Sequence, residues 1–412
     1  MPQTPSGRSA GPAAGHRVGS LPAIIVVFAA AGFVMGQTLS RVPAVRDHLL
    51  ATPGQLGLAL MGMGAGSLLA MPFAGRLVDR FGSRAVVSVT VVLGCLGWGS
   101  VALVPSVPLL FVTLFLAGIN VGLWDVTMNI QAAHVERHRP RTWMPQFHAA
   151  FSGGAVLGAG SGALAAVLGV GLVQLPVLAA VAMVAGLVAA RRFVPEDHDE
   201  HRADEEEAVG EGALGEGQPP AGPRPRPGIT RPEILIGIVC LAAALAEGSA
   251  NDWLALLLVD VHEAPEAFGA LTLTAFNLTM MVGRLMGGPA IDRFGRERVV
   301  GVGGVLAVAG ILVVVLVPSL TLAILGGLLW GLGVSTVFPA AMSAAGEIPG
   351  RGNRAITVVS TIAYGAFLFG APSIGLLAEW AGLSRALLLV VAALGLMVVL
   401  SPVMRARAPG RA

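Results

Sequence analysis

Apolar residues run along this chain in long blocks, separated by short polar stretches rich in Pro, Gly and Arg. A helix needs about 20 mostly apolar residues to cross a bilayer. On that scale the blocks predict twelve spans. The first half holds 21–41, 55–75, 84–104, 108–132, 147–168 and 171–190; the second holds 233–259, 266–288, 298–317, 319–342, 355–378 and 383–404. The predicted fold is therefore an all-α polytopic membrane protein, with twelve transmembrane helices in two six-helix bundles, 1–190 and 233–412. Between them, 191–232 carries an acidic run from Glu196 to Glu207 and then Gly- and Pro-rich sequence. Such a segment has too little apolar content to bury a core, and it is predicted to be a disordered cytoplasmic linker.

Composition agrees with a lipid environment. Only 12% of residues are charged and 55% are hydrophobic, whereas soluble domains carry about 25% charged residues. The chain has 56 glycines, as expected where membrane helices pack closely. All 26 basic residues are Arg, a mark of a GC-rich genome. Cys95 and Cys240 both lie in apolar stretches, so neither a structural disulfide nor a metal site is expected. The polar stretch Met1–Ser20 leads into a full-length apolar block without a short cleavable core, which predicts an uncleaved first span.

Charge placement sets the orientation. With both termini in the cytoplasm, 22 of the 26 arginines fall on the cytoplasmic side. Arg41, Arg46 and Arg385 fall outside, and Arg284 lies within a span. The positive-inside rule then predicts a multi-pass protein of the cell membrane with both ends inside.

An internal repeat is present. Gly75-Arg-Leu-Val-Asp79-Arg80-Phe81-Gly82 follows the second span, with Arg84 close behind; Gly288-Pro-Ala-Ile-Asp292-Arg293-Phe294-Gly295 follows the eighth. Gly75 and Gly288 are expected to admit a close helix neighbour. Gly82 and Gly295 suit a tight reversal. Asp and Arg there can pair with each other or with helix ends. This G-x3-D-R-F-G pattern, present in both halves, resembles the signature loop of the major facilitator superfamily. The resemblance covers the whole chain: twelve spans, six plus six, with a long central loop. It implies a substrate path between the halves, opened to each side in turn. It also implies that Asp79, Arg80, Arg84, Asp292 and Arg293 hold helices together at the cytoplasmic face and do not touch solute.

Ionisable groups within spans are expensive and mark function. Asp125 lies in Gly118-Ile-Asn-Val-Gly122-Leu-Trp-Asp125-Val-Thr-Met-Asn129. Positions 118, 122, 125 and 129 share one helical face, where a neighbour can approach the glycines and the polar pair can face a cavity. A carboxyl in so poor a solvent favours its protonated form, as a proton-coupling group must. A structural ion pair with a residue such as Arg41 is the competing reading. This stretch resembles the fourth helix of fucose permease-like sugar/proton symporters, which carry an acid followed four positions later by Asn. The acid there is Glu, longer than Asp125. Trp124 beside it could face a sugar ring or lipid.

In the seventh span, Glu247 and Asn251 are one turn apart on one face. Glu247 is the second candidate for proton coupling, and Asp252 sits nearer the outer end. Arg284 is assigned to the cytoplasmic loop network. His148, Gln37, Asn277 and Trp330 are weaker candidates.

No phosphate-binding G-x4-G-K-[ST] motif and no Cys/His ligand set is present, so neither an enzyme nor a cofactor is expected. Drug/proton antiporters of the superfamily carry an Arg in the fourth helix and a Gly-Pro pair in the fifth; neither occurs here. The expectation is a secondary transporter of a small polar solute, with a sugar as candidate, coupled to protons and working as a monomer in the lipid bilayer without nucleic-acid partners. Efflux of a drug or metabolite by proton antiport is the alternative, and a non-transporting membrane sensor a weaker one.

Overall fold

The computed structural model describes residues 20–137, 143–193, 228–349 and 351–405. Most of the N-terminal tail, the acidic run and Pro-rich part of the linker, and Arg139, Arg141, Arg407 and Arg411 lie outside the described residues.

The described chain is helical. The N-terminal set is α1 (Leu21–Leu39), α2 (Val42–Leu49), α3 (Pro53–Phe81), α4 (Ser83–Ser100), α5 (Val107–Arg137), α6 (Met144–Val167) and α7 (Gln174–Ala190). The C-terminal set is α8 (Arg231–Ser249), α9 (Ala255–Asp260), α10 (Glu266–Phe294), α11 (Arg296–Leu316), α12 (Leu320–Val334), α13 (Val337–Gly346), α14 (Gly352–Ala381), α15 (Leu383–Ala386) and α16 (Leu388–Leu400). All twelve predicted spans coincide with helical segments. Ten are long and apolar enough to cross a membrane, and Gln174–Ala190 is a shorter apolar helix. The remaining one, α10, has 29 residues but carries Glu266, Arg284, Asp292 and Arg293.

Helices α3 and α10 run farther than their apolar content indicates. The Asp-Arg-Phe residues of both repeats complete the last helical turn and do not stand in a loop. The reason is the terminator: Gly82 and Gly295 adopt φ of 77° and 80°, which a side chain would resist. Their N–H groups close on Val78 and Ile291, at 2.7 and 2.8 Å. Arg80 lies over the Phe81 ring and Arg293 over the Phe294 ring, at 5.2 and 5.3 Å. The two halves thus repeat the turn in geometry as well as in sequence. At its other end α3 begins with a capping box, in which Thr52 and Gln55 bond each other's backbone N–H, with Pro53 at the first helical position.

Lipid rather than water suits the outer surface. Exposed Val89, Leu93 and Leu96 line one face of α4, and exposed Val177, Val181, Val184 and Val188 line one face of α7. Such stripes would aggregate in water. Inside, small residues bring backbones together. A Cβ added to Gly154 of α6 would stand 2.0 Å from the Ala29 carbonyl oxygen of α1.

Two seams join the N-terminal and C-terminal sets: α3 packs on α14, and α6 on α10. The second long helix of one set thus meets the fifth of the other, both ways round. The first seam is tight only at the end remote from the Asp-Arg-Phe-Gly turns. There a Cβ on Gly57 would come within 2.5 Å of the Ala371 oxygen, and one on Gly64 within 2.3 Å of the Phe367 oxygen. Three polar links reinforce that remote end: Arg41 to Glu266, Arg46 to Asp260 at 2.5 Å, and the Thr52 hydroxyl to the Glu379 carboxylate.

The end carrying the turns is different. Gly75 and Gly288 have nothing within 4 Å of an added Cβ, so the expected close neighbour is not there. Asp79, Arg80, Arg84, Asp292 and Arg293 are all exposed. Among the described residues, Asp79 and Asp292 have no ion-pair partner. The expected bracing of the two turns is therefore not formed in this conformation. What does brace that end lies within the C-terminal set. Arg351 donates from Nε to Glu233 at 2.8 Å, where Glu233 is fully buried and also caps α8 through the Thr230 N–H. Arg296 bonds Glu347 and Ser343.

Candidate functional site

The site is built from α5 outward. Gly118 and Gly122 seat α5 against α3: Cβ atoms there would come within 2.2 Å of the Met63 oxygen and 2.9 Å of the Ser67 backbone. The Ser67 hydroxyl donates to the Gly118 carbonyl at 2.9 Å. Farther along the same face come Asp125 and Asn129, both half-buried. The Asn129 amide donates to the Asp125 carbonyl at 2.8 Å and its carboxylate at 3.3 Å. Among the described residues, no cation pairs with Asp125. Tyr364 of α14, from the other half of the chain, lies within electrostatic reach of it.

The second group is on α8. Glu247 takes both its bonds from Arg284 of α10: Nη2 lies 2.8 Å from one carboxylate oxygen and 3.1 Å from the other. The second guanidinium nitrogen, Nη1, donates to Ser152 of α6 at 3.3 Å. This crosses the α6–α10 seam. Both members of the pair are about 30% exposed, at 29% and 30%, so the pair is open to the gap and not sealed in the core. His148 of α6 senses the Arg284 charge and stacks edge-on against Phe28 at 5.5 Å. A cavity of about 340 Å³ opens beside Arg284 toward the turn-bearing end, with Thr336, Ser343 and Arg296 in its wall.

Arg284 is therefore not part of the loop network, as its position near the end of a predicted span implies. The guanidinium turns back into the span because Glu247 offers a full countercharge in a medium where an unpaired charge is costly.

Beyond Glu247 the helix changes character. Ala250–Leu254 is a π-helical segment linking α8 to α9. Such widened turns are frequent at functional sites. The Asn251 amide donates to the Glu247 carbonyl at 3.1 Å. Asp252 is half-buried and has no ion-pair partner among the described residues. Trp253 is fully buried, its ring 3.1 Å from a Cβ built on Gly375 of α14.

Two of the predicted site residues stand apart. Arg41 does not pair with Asp125. It lies at the remote end, with Nε 3.0 Å from Glu266 and its guanidinium donating to the Gly162 and Val170 carbonyls. Trp124 faces neither sugar nor lipid: it is 2% exposed and packs on Gly94 of α4, 3.1 Å from an added Cβ. One residue before Asp125 is about 100° around the helix, enough to turn it into the bundle. Trp330 is likewise core, edge-on to Phe276 at 5.8 Å. Ser152 and Tyr364 were not among the sequence candidates. Tyr364 had a signal: it is the only tyrosine in the chain and interrupts an apolar helix.

A helical membrane bundle with charged and amide groups gathered at the seams between two halves is the architecture of a solute transporter. The chain belongs to the Major Facilitator Superfamily, whose family model matches residues 23–271 and 236–411. It is 35% identical over 380 residues to an uncharacterized transporter of Sinorhizobium fredii, y4wD, covering 91% of this chain and 95% of that one. It is 32% identical to an uncharacterized MFS-type transporter of Yersinia pestis, over 89% of this chain and 93% of that one. It is 28% identical to the membrane protein MosC of Rhizobium meliloti, over 90% and 87%. Among solved structures, the nucleoside transporter NupG (D323A mutant) superimposes with a TM-score of 0.74 at 12% identity, over 93% of this chain and all of that one. A D-xylose-proton symporter does so with a TM-score of 0.71 at 14% identity, over 93% and 97%. The two structures share the fold.

Proposed function

We propose that this protein moves a small polar solute across the cell membrane by alternating access, coupled to protons through Asp125 and Glu247. The observation that carries the reading is Asp125: a carboxyl within a span, within electrostatic reach of Tyr364 of the other half, with no ion-pair partner among the described residues. Such a group in a poor solvent must take a proton or a solute. Asn129, Asn251, Ser152 and Tyr364 add the donors and acceptors that a hydroxyl-rich solute uses. By their names, the two structural neighbours carry a nucleoside and a sugar with a proton, both hydroxyl-rich. The arginine bias places the turn-bearing end in the cytoplasm. The tight remote seam and the open turn-bearing end then correspond to an inward-facing state, with residues 1–190 and 233–412 as the two rocking bodies. The chain acts as a monomer, since each seam is internal.

The test is solute-evoked pH change in proteoliposomes, for wild type, Asp125→Asn and Glu247→Gln. Candidate solutes come first from a thermal-stabilisation screen of neutral sugars, nucleosides and sugar acids, because a ligand of the folded state raises its melting temperature. Loss of proton movement in either variant is the expected result. Undiminished proton movement in both removes these carboxyls from the mechanism.

A further inference from the structure

Both Glu247 carboxylate oxygens accept from Arg284 Nη2, at 2.8 and 3.1 Å, so a proton placed on either oxygen displaces a guanidinium bond. Protonating Glu247 would leave the guanidinium without its countercharge, which is the costly way to break such a pair. A second anion in the place of the carboxylate removes that cost. Resting on the proton-coupling reading above, we infer that the solute supplies that anion: it is a polar molecule carrying a carboxylate, such as a sugar acid, and Arg284 is its receptor.

The exchange balances. Ionised Glu247 paired with Arg284, plus a proton and a solute carboxylate, gives neutral Glu247 and Arg284 paired with the solute. No net charge is added to the site, and one proton accompanies each anion. The geometry permits it. The pair is 29% and 30% exposed, and the cavity beside Arg284 leads toward the open end. Arg284 already spans the seam through Ser152 at 3.3 Å, so an anion on the guanidinium sits where the two halves meet. A carboxylate accepts two guanidinium N–H bonds in the geometry that Glu247 now occupies. A neutral sugar offers no charge and would leave the pair, and Glu247, as they are. His148 within electrostatic reach of Arg284, Cys240 within electrostatic reach of Glu247, and Asp292, Arg296 and Glu347 in the cavity wall are the other titratable and charged groups about the pair; Asp125, a further carboxyl within a span, is included in the test.

Purified full-length protein is melted at pH 5.5 and 7.5 with galacturonate or galactose, and with glucuronate or glucose, matched pairs that differ in the C6 carboxylate. A rise of about 2 °C or more with at least one acid, larger at pH 5.5, and none with its neutral partner is expected. Glu247→Gln mimics the protonated acid, so it keeps the rise and loses its pH dependence. Arg284→Gln abolishes the rise, and Arg284→Lys, which retains the charge without the fork, weakens it. Loss of the rise in Asp125→Asn together with its survival in Arg284→Gln would assign the exchange to Asp125 instead and overturn the inference. No rise with either acid, stabilisation by the neutral sugars alone, or a rise that survives in Arg284→Gln overturns the inference. Neutral sugars that still evoke proton movement in proteoliposomes would sink it while leaving the transporter reading in place; absence of any solute-evoked proton movement would sink that reading itself.

Discussion

Arg41 at the end of α1 lies 3.0 Å from Glu266 at the start of α10, joining the two halves of the chain at one end. The contact is electrostatic; its Nε–H is not aligned as a hydrogen bond. Arg41 is 3% exposed and Glu266 27%. Removing the arginine would strand a partly buried carboxylate and weaken the closure of that end. In a Cys95→Ser, Cys240→Ser background, Arg41→Ala is expected to speed maleimide labelling of Ala371→Cys about tenfold, the effect of ~1.4 kcal/mol on an opening equilibrium. An unchanged rate would show that this pair does not hold the end shut.

The neighbouring link, Arg46 to Asp260, is more exposed, at 18% and 30%, and weaker for that reason. Single reversal, Arg46→Asp or Asp260→Arg, places like charges together; the double reversal restores attraction. Labelling of the same reporter should rise in each single variant and return toward the starting rate in the double. Additive effects, with no recovery, would mean that the two side chains do not act as a pair.

At the tight seam, Gly64→Ala would set a methyl 2.3 Å from the Phe367 carbonyl oxygen. Backbone cannot yield as a flexible side chain can, so the cost should be about 1–3 kcal/mol. A thermal melt in detergent checks this. A melting temperature at or above wild type would contradict the close approach of α3 and α14.

Glu233 and Arg351 form the buried link between α8 and α14. Glu233→Gln removes the charge that neutralises Arg351 and is expected to cost about 3–5 kcal/mol. Loss of stability without change in solute affinity is the predicted pattern, because neither residue reaches the central gap. A Glu233→Gln protein as stable as wild type would show that the pair adds nothing.

The repeated turn makes a symmetric prediction. Gly82→Ala and Gly295→Ala force a side chain into φ of 77° and 80° with ψ of 148° and 150°, a region essentially reserved for glycine, at about 1–3 kcal/mol each. Similar losses are expected in both halves, read from melting temperatures of the single variants. A large loss in one and none in the other would mean that the two turns are not equivalent.

How far these features could be read from the chain depends on their range. The spans were legible because twenty apolar residues are a local signal. The turns were legible because Gly82 and Gly295 are demanded by backbone geometry at those positions. Asp125 and Glu247 stood out as charges where charges are costly. Their surroundings did not. That Arg284 turns back to Glu247 depends on a helix 37 residues away. That Trp124 faces Gly94 depends on how α5 is rotated, which the seating of Gly118 and Gly122 on α3 decides. The sequence offers Arg41 as a partner for Asp125 because it borders a span, but its actual partner, Glu266, is set by how the ends of α1 and α10 meet. The π-helical segment at Ala250–Leu254 left no pattern in the sequence that distinguishes it from an ordinary helix.

The empty space beside Gly75 and Gly288 has a thermodynamic side. A methyl at either place meets nothing now, and replacing a helical glycine by alanine even favours the helix by about 1 kcal/mol. If the two bodies swing together at that end, the same methyl would meet a neighbour. Its free energy would then differ between the states and shift their populations. These two glycines are thus handles on the resting balance of the protein, through which a single carbon could trap it in one half of its working cycle.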